Sequence, residues 1–111
     1  MTMDPNCIFC KIVAGQVPSR KLFEDEEFLA FHDVRPHAPV HFLVIPKRHV
    51  PSLAVVTAED QPMLGRLLAL APRLAREQGL TGGFRLGVNT GRDGGQEVFH
   101  LHLHVLGGKA G

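Results

Sequence analysis

The segment Phe-His-Leu-His-Leu-His-Val-Leu-Gly-Gly, residues 99–108, alternates three histidines with apolar side chains. Alternation with a period of two is typical of a β-strand, in which successive side chains point to opposite faces. One face would carry His100, His102 and His104, and the other Phe99, Leu101, Leu103 and Val105. Neighbouring imidazoles on a strand lie roughly 6.6 Å apart, so one phosphate or one metal ion could bridge two of them. The pattern therefore predicts a reactive face, with a solvated polar face as the alternative.

A row of imidazoles can perform nucleophilic chemistry at neutral pH. An unperturbed histidine has a pKa of about 6.5, so a neutral ring with a nitrogen lone pair is available. The ring attacks phosphorus only if its other nitrogen keeps its proton on an acceptor, which fixes the tautomer. A neighbouring imidazole can then donate to the charge that develops on the phosphoryl oxygens. We expect one attacking histidine with one helper beside it.

Length and composition predict a single domain, residues 1–111, of the globular class. Apolar residues make up 44% of the chain, charged residues 21%, and the formal net charge is +1. Such a balance argues against a nucleic-acid duplex as the main partner, because a duplex needs a broad basic surface. No stretch reaches 18 apolar residues, so no membrane span is expected. The first residues lack the pattern of a secretory signal, and we expect a cytoplasmic protein.

Local patterns predict two helices and five strands. Apolar spacing favours a short helix over residues 7–13, closed by Gly15. A long helix is predicted over residues 57–78, with Thr57 and Asp60 as a capping box and a kink at Pro72. Its apolar stripe comprises Met63, Leu64, Leu67, Leu68, Ala71, Leu74 and Ala75. Strands are expected over residues 21–24, 28–33, 41–45, which should be central in the sheet, 84–89 and the histidine segment.

Residues 89–96, Asn-Thr-Gly-Arg-Asp-Gly-Gly-Gln, form a glycine-rich connection before the histidine segment. Paired glycines let backbone N–H groups approach an anion, so the connection is either a phosphate cradle or a plain hairpin loop. It is not a Walker loop, because no Gly-Lys-Ser/Thr follows. Its position beside the histidines favours the phosphate cradle.

Cys7 and Cys10 have the Cys-x-x-Cys spacing that supplies half of a tetrahedral zinc site. A redox pair is the alternative, although such a pair usually follows a strand in a βαβ unit. A structural disulfide is not expected in a chain without an export signal. The missing zinc ligands would be histidines, of which the chain has seven.

Several motifs resemble those of the histidine triad (HIT) superfamily. His100-Leu-His102-Leu-His104-Val-Leu106 is similar to its signature of histidines alternating with hydrophobic residues. The resemblance to the histidine triad nucleotide-binding (Hint) branch rests on Phe31-His-Asp33, Ala38-Pro-Val-His41-Phe-Leu-Val-Ile-Pro46, Gly94-Gly-Gln-Glu-Val-Phe-His100 and Leu106-Gly-Gly108. It implies an α+β fold with a five-stranded antiparallel sheet, a short N-terminal helix and one long helix. The sheets would be joined across a homodimer.

The resemblance also implies binding of purine nucleotides and hydrolysis of nucleoside phosphoramidates or related nucleotidyl esters. It assigns the nucleophile to His102, which would carry the nucleotidyl group, and the α-phosphate contact to His104. His41 would support their hydrogen bonds, and Asp33 would hold the ribose hydroxyls. The other phosphate contacts would be Asn89, Gly95, Gln96 and Glu97. The base pocket would comprise Phe9, Ile12, Phe31, Val34 and Leu43.

In relatives that retain Cys-x-x-Cys, four ligands hold a structural zinc ion. The matching residues here are Cys7, Cys10, His49 and His100, so His100 would serve both the zinc site and the triad. His32 and His37 receive no role from the resemblance and are expected to be surface or hydrogen-bonded histidines.

Two other functions fit the sequence. A sister branch hydrolyses dinucleoside polyphosphates, although Leu106-Gly107-Gly108 after the triad argues against it. The chain could instead be a nucleotide-binding or zinc-binding regulator with incidental hydrolysis. The intact triad favours an enzyme, because a pure binder needs no nucleophile.

Overall fold

The computed structural model describes residues 3–108, which form two α-helices and five strands. In chain order these are α1 (Ile8–Val13), β1 (Lys21–Glu24), β2 (Phe28–His32), β3 (Val40–Pro46), α2 (Gln61–Glu77), β4 (Phe84–Gly87) and β5 (Leu103–Gly107). Three 3₁₀ turns lie at Leu53–Val55, Ala58–Asp60 and Arg92–Gly94. The predicted types and order of the helices and strands are confirmed. The predicted ends differ by one or two residues in α1, β2, β3 and β4.

The five strands form one antiparallel sheet in the order β1-β2-β3-β5-β4. β3 pairs with β2 on one side and with β5 on the other, and it is buried along nearly its whole length. The prediction that this strand is central is therefore confirmed. β4 and β1 are the sheet edges.

The two faces of the sheet carry separate apolar clusters. α2 packs on one face, where its buried residues join Phe42, Val44, Leu103 and Val105 in a single cluster. α1 packs on part of the other face, where Phe9 and Ile12 contact the cluster of Leu29, Phe31, Leu43 and Ile45. Because α1 has only six residues, it leaves part of this second face uncovered. The α+β architecture implied by the resemblance is thus confirmed.

The histidine segment is only partly a strand, which corrects the prediction. β5 begins at Leu103, and residues 98–102 lie outside the sheet ladder. The N–H of Leu101 donates instead to the carbonyl of Val50, at 2.7 Å. Phe99 is 49% exposed rather than packed in the core. The alternation still holds beyond it, since Leu101, Leu103 and Val105 are buried under α2.

The long helix is shorter than predicted. α2 begins at Gln61, and the preceding 3₁₀ turn is closed by the Asp60 carboxylate, which accepts the Thr57 N–H at 2.9 Å. The helix continues through Pro72 to Glu77. Its stripe is also shifted, because Leu68 is 54% exposed while Leu70 is buried. Within residues 3–108, neither helix has the length and apolar character needed to cross a membrane.

Candidate functional site

A cavity of about 1470 Å³ opens on the sheet face that α2 leaves uncovered. Most of the residues assigned to nucleotide binding or catalysis line it: Phe9, Ile12, Phe31, Asp33, Val34, His41, Leu43, Asn89, Gly95, Glu97, His102 and His104. Gln96 and His100 were predicted for the same site, but neither is among the lining residues. The cavity therefore brings together residues from both ends of the chain.

His102 is held in a single tautomer. Its Nδ1–H donates to the carbonyl oxygen of His100 at 2.7 Å, which leaves Nε2 with a free lone pair. The side chain is buried, and burial lowers its pKa; the bond to His100 and the charge of Asp33 partly oppose this shift. The ring is therefore neutral at physiological pH. A neutral imidazole with its second nitrogen anchored is suited to nucleophilic attack.

His104 receives its orientation from His41. The backbone N–H of His37 donates to His41 Nδ1 at 3.0 Å, so the remaining proton of a neutral His41 lies on Nε2. That Nε2–H lies 3.0 Å from His104 Nδ1 and donates to it. His104 must then carry its own proton on Nε2, where it can be offered to an anion. The order of these hydrogen bonds makes His104 a donor next to the acceptor His102.

Burial keeps both of these rings neutral. Burial, with smaller contributions from His102 and His41, lowers the pKa of His104 to about 4. Burial is also the main cause that lowers the pKa of His41, although Asp33 opposes it. Asp33 lies close by, with Oδ2 3.4 Å from His41 Nε2 and Oδ1 accepting the Arg35 N–H at 2.8 Å. Asp33 thus has one oxygen fixed by the backbone and the other at the cavity.

The apolar end of the cavity lies at α1. The Phe9 ring contacts Phe31 edge-on, with centroids 5.4 Å apart, and contacts His102 at 5.2 Å. Ile12 and Leu43 extend this wall. Val34 borders the cavity but is 92% exposed, so it adds little to the wall in this chain.

The glycine-rich loop is stabilised mainly by its own hydrogen bonds. The N–H groups of Gly95 and Gln96 donate within the loop, to Arg92 and Gly91. The Gln96 side chain is buried and donates to the carbonyls of Pro51 and Val98. Of the predicted phosphate contacts Gly95, Gln96 and Glu97, the two former have their backbone N–H groups engaged within the loop, whereas the Glu97 N–H has no acceptor within residues 3–108. Asn89 lines the same cavity.

Cys7, Cys10, His49 and His100 form a compact cluster behind the cavity. Their ligand atoms all lie within 4.8 Å of one another. His100 Nδ1 lies 3.4 Å from Cys7 Sγ, 3.5 Å from Cys10 Sγ and 3.2 Å from His49 Nδ1. Cys10 Sγ lies 3.3 Å from His49 Nδ1. The structure therefore brings together all four residues that the sequence suggested as metal ligands.

The cluster fits a tetrahedral zinc ion. With bonds of about 2.3 Å to sulfur and 2.0–2.1 Å to nitrogen, neighbouring ligand atoms in such a site lie about 3.3–3.8 Å apart. His100 donates Nε2–H to the carbonyl of Pro46 at 2.7 Å, so its Nδ1 lone pair faces the other ligands. Burial lowers the pKa of His100 to about 4, which keeps it neutral as ligation requires. Burial also raises the pKa of the Cys10 thiol, so metal binding would release its proton.

Three features of the cavity were missed at the sequence level. The His37 backbone N–H fixes the tautomer of His41, and the His37 ring lies 5.7 Å from the His41 ring. Arg35 and Arg85 also line the cavity. Alternation in the strand around residue 85 could have assigned Arg85 to one face. Which face meets the histidines depends on strand pairing, which no local pattern reveals.

Comparisons with known proteins agree with this arrangement. A family model described as "Scavenger mRNA decapping enzyme C-term binding" matches residues 6–110. Protein HitA of Neisseria gonorrhoeae is 51% identical over 102 residues, which cover 92% of this chain and 95% of that protein.

Solved structures with a similar fold include two with informative descriptions. A HIT family hydrolase from Legionella pneumophila is 47% identical, with a TM-score of 0.92 and 95% of both chains covered. A histidine triad nucleotide-binding protein from Candida albicans is 34% identical, with a TM-score of 0.81 over 90% of this chain and 73% of that chain. The likeness extends over nearly the whole chain in sequence and in fold.

Proposed function

The chain belongs to the histidine triad (HIT) superfamily, and from this membership we propose that it is a hydrolase that binds purine nucleotides. Its substrates would be nucleoside phosphoramidates or related nucleotidyl esters. The catalytic residues would be His102, His104, His41 and His100, with His102 as the nucleophile. The relative described as a hydrolase supports the hydrolysis, and the one described as a nucleotide-binding protein supports the binding of a nucleotide.

One observation carries the proposal. His102 lines the cavity as a buried, neutral imidazole whose Nδ1–H is bound to the His100 carbonyl. The lone pair of His102 Nε2 is thus free to attack. The His104 ring lies close by, with its centroid 4.9 Å from that of His102, and its Nε2–H is available for a phosphoryl oxygen. A binding site alone needs donors for an anion, whereas a nucleophile beside a donor favours group transfer.

The reaction would proceed in two displacements at phosphorus. His102 Nε2 attacks the α-phosphorus, the bond from phosphorus to the leaving amine breaks, and the amine takes up one proton. Water then attacks the same phosphorus, the bond to His102 Nε2 breaks, and water's proton is released. The sum is phosphoramidate plus water giving nucleoside monophosphate plus amine, with His102 regenerated. His104 would stabilise the negative charge on the phosphoryl oxygens in both steps.

The nucleotide would lie with its base at the α1 end of the cavity. Phe9, Phe31 and Leu43 offer apolar and aromatic surface there. Asp33 Oδ2 would accept hydrogen bonds from the ribose hydroxyls. The Glu97 N–H and the Asn89 side chain would contribute to phosphate binding.

Cys7, Cys10, His49 and His100 would hold a structural zinc ion. When bound, zinc supplies a rigid link between α1 and the segment that carries His102, and no open coordination position is left for substrate. The backbone N–H of Asp4 donates to Cys10 Sγ at 3.4 Å, and that of Cys10 donates to Cys7 Sγ at 3.3 Å, so each sulfur accepts a backbone hydrogen bond that would help to orient it as a metal ligand. A reducing cytoplasm would keep these cysteines available for metal.

The protein would act as a homodimer. β4 is an edge strand that pairs only with β5 among the described strands, and its Phe84 is 36% exposed. An unpaired strand edge with an exposed aromatic side chain favours pairing with a second copy of the chain.

The test is to trap the covalent intermediate. The protein is mixed with the adenosine 5′-phosphoramidate of glycinamide, quenched rapidly and analysed by peptide mass spectrometry. An adenylyl group on His102 is expected, and His102→Ala should abolish it and slow turnover by several powers of ten.

His32→Ala is the matched control, since His32 also lines the cavity without an assigned role. Turnover by His102→Ala within tenfold of wild type would exclude His102 as nucleophile. Faster turnover of a dinucleoside polyphosphate than of the phosphoramidate would favour the sister branch instead.

A further inference from the structure

Among the residues that the structure describes, three arginines line the cavity without a carboxylate partner. Among residues 3–108, the side chains of Arg20, Arg35 and Arg85 form no ion pair. Six other cations of the described residues form such pairs and lie outside this cavity, whereas Lys11 and Arg76 lie outside it without such a pair in residues 3–108: the six are Lys21, Lys47, Arg48, Arg66, Arg73 and Arg92. The cavity therefore offers positive charge that the described residues do not neutralise.

A row of rings gives the cavity two distinct ends. Ring centroids lie 5.2 Å apart from Phe9 to His102, 4.9 Å from His102 to His104, 5.2 Å from His104 to His41 and 5.7 Å from His41 to His37. Phe9 belongs to the apolar end at α1. His37 is exposed and marks the other end.

Two of the arginines lie at the His37 end. In the sheet register, Arg85 of β4 and His41 of β3 flank Leu106 of β5 from its two sides. Arg85 is close enough that its charge helps to lower the pKa of His41. The backbone N–H of Arg35 donates to Asp33, which itself lies beside His41.

The negative charges in the cavity do not cancel this excess. Within residues 3–108, the charged side chains that line it are Arg20, Arg35, Arg85, Asp33 and Glu97. The Asp33 carboxylate is engaged by the Arg35 backbone and lies beside His41. Three cations thus oppose two carboxylates, and two of those cations are at the His37 end.

Displacement at phosphorus places the leaving group at this same end. In phosphoryl transfer the attacking and leaving atoms lie roughly in line. The leaving group therefore departs on the side of phosphorus away from His102 Nε2. A base at Phe9 and a phosphate between His102 and His104 leave the direction toward His41 and His37 for the leaving group. The cavity has room for it, since about 1470 Å³ exceeds the roughly 300–1,000 Å³ typical of small-ligand pockets.

We propose that Arg35, His37 and Arg85 form an anion subsite for a carboxylate or phosphate group carried by the leaving group. The favoured substrates are thus nucleotidyl amides whose amine bears a second negative charge. This inference rests on the function proposed above, because it assigns the part of the substrate that the reaction releases.

The experiment compares three adenosine 5′-phosphoramidates that differ only in the leaving amine. Glycine carries a carboxylate, aminomethylphosphonate carries a phosphate-like dianion, and glycinamide is neutral. We expect kcat/KM for at least one anionic substrate to exceed that for the neutral one by about tenfold, the effect of one charge-assisted hydrogen bond. The preference should shrink at high salt, because the arginines are exposed. The stronger of the two anionic substrates identifies the carboxylate or the phosphate as the preferred group.

Arg35→Gln and Arg85→Gln test the subsite directly. Each should lower kcat/KM for the preferred anionic substrate roughly three- to tenfold and leave the glycinamide substrate within about twofold. Arg76→Gln is the matched control, because it removes the same charge far from the cavity. Arg76 is an exposed arginine of α2, which packs on the opposite face of the sheet. Thermal melting checks that all three variants fold.

The outcomes separate this inference from the proposed function. Equal kcat/KM for all three substrates would overturn the subsite, and so would equal losses of kcat/KM in Arg76→Gln and in the cavity variants Arg35→Gln and Arg85→Gln. In either case, hydrolysis of the glycinamide compound would still uphold the proposed function. Failure to hydrolyse any of the three would refute the proposed function and this inference with it. An anionic preference that Arg35→Gln or Arg85→Gln removes would support both.

Discussion

Asp33 has one carboxylate oxygen bound to the Arg35 N–H and the other beside His41 at the cavity. We expect the second oxygen to accept from ribose hydroxyls, and hydrogen bonds to a charged group contribute about 1.5–3 kcal/mol. AMP should therefore bind more tightly than dAMP, and Asp33→Ala should remove most of that difference. Calorimetric titration measures both affinities, with Asp33→Asn as a variant of equal size that lacks the charge. Equal affinities of the wild-type protein for AMP and dAMP would contradict the assignment.

His104 makes stability depend on pH. Its pKa is lowered from 6.5 to about 4, mainly by burial, so between these values the unfolded chain binds more protons than the folded one. The contribution of His104 to the free energy of unfolding is therefore complete above pH 6.5, and it is lost as the pH drops toward 4. Urea unfolding at pH 7 and pH 5 measures how much the free energy of unfolding falls between these two values. The fall should be smaller for His104→Asn than for wild type. His100 contributes equally in both proteins, so a difference between the two losses of unfolding free energy reports on His104. An identical loss would argue against a buried neutral His104.

At the scale of elements, the cluster of Cys7, Cys10, His49 and His100 joins α1 to segments next to the strands that build the cavity. Cys7 is the N-cap of α1, Cys10 lies within it, and His49 follows β3. If zinc is bound there, its binding free energy appears as folding free energy, because the site exists only in the folded chain. Chelation should lower the melting temperature clearly, whereas the turnover of protein that remains folded should fall only modestly.

Cys7→Ala, Cys10→Ala and His49→Ala should melt like chelated wild type and should not respond further to a chelator. Lys11→Ala is the control on α1, since Lys11 is outside the cluster, and it should keep the full response. Metal analysis of protein purified without chelators checks the premise. Zinc-free protein with reversible oxidation of Cys7 and Cys10 would indicate a redox pair.

At the scale of the whole molecule, the open edge of β4 predicts a dimer. Sedimentation at micromolar concentration should give twice the 12.2 kDa mass of the chain. Phe84→Lys places a charge on the edge strand and should shift the equilibrium toward monomer. Val55→Lys, at another exposed apolar residue, should leave the dimer intact. A stable wild-type monomer would contradict the dimer, and the single-domain organisation of residues 1–111 also stays a prediction.

The sequence by itself determined the types and order of the elements and which residues of the histidine segment share a face. Period-two alternation placed Leu101, Leu103 and Val105 on one face, which the structure packs under α2. Helical spacing identified α2, and the residue types at Thr57 and Asp60 identified its capping turn. Such patterns act within one or two turns or along one strand, so they can be read without knowing the neighbours. Cys7 and Cys10 came from their spacing and the histidine face from alternation, whereas His49, the metal role of His100 and the other cavity residues came from motif resemblance.

Only the tertiary structure decided where the elements meet. The carbonyls of Val50 and Pro46 bind Leu101 and His100, so β5 begins later than its alternation predicted. The His41–His104 contact spans 63 residues, and Arg85 reaches the cavity through strand register. The buried Gln96 side chain closes a loop whose position beside the histidines had favoured a phosphate cradle. These contacts depend on pairing between distant segments, and a local pattern contains no information about its distant partner.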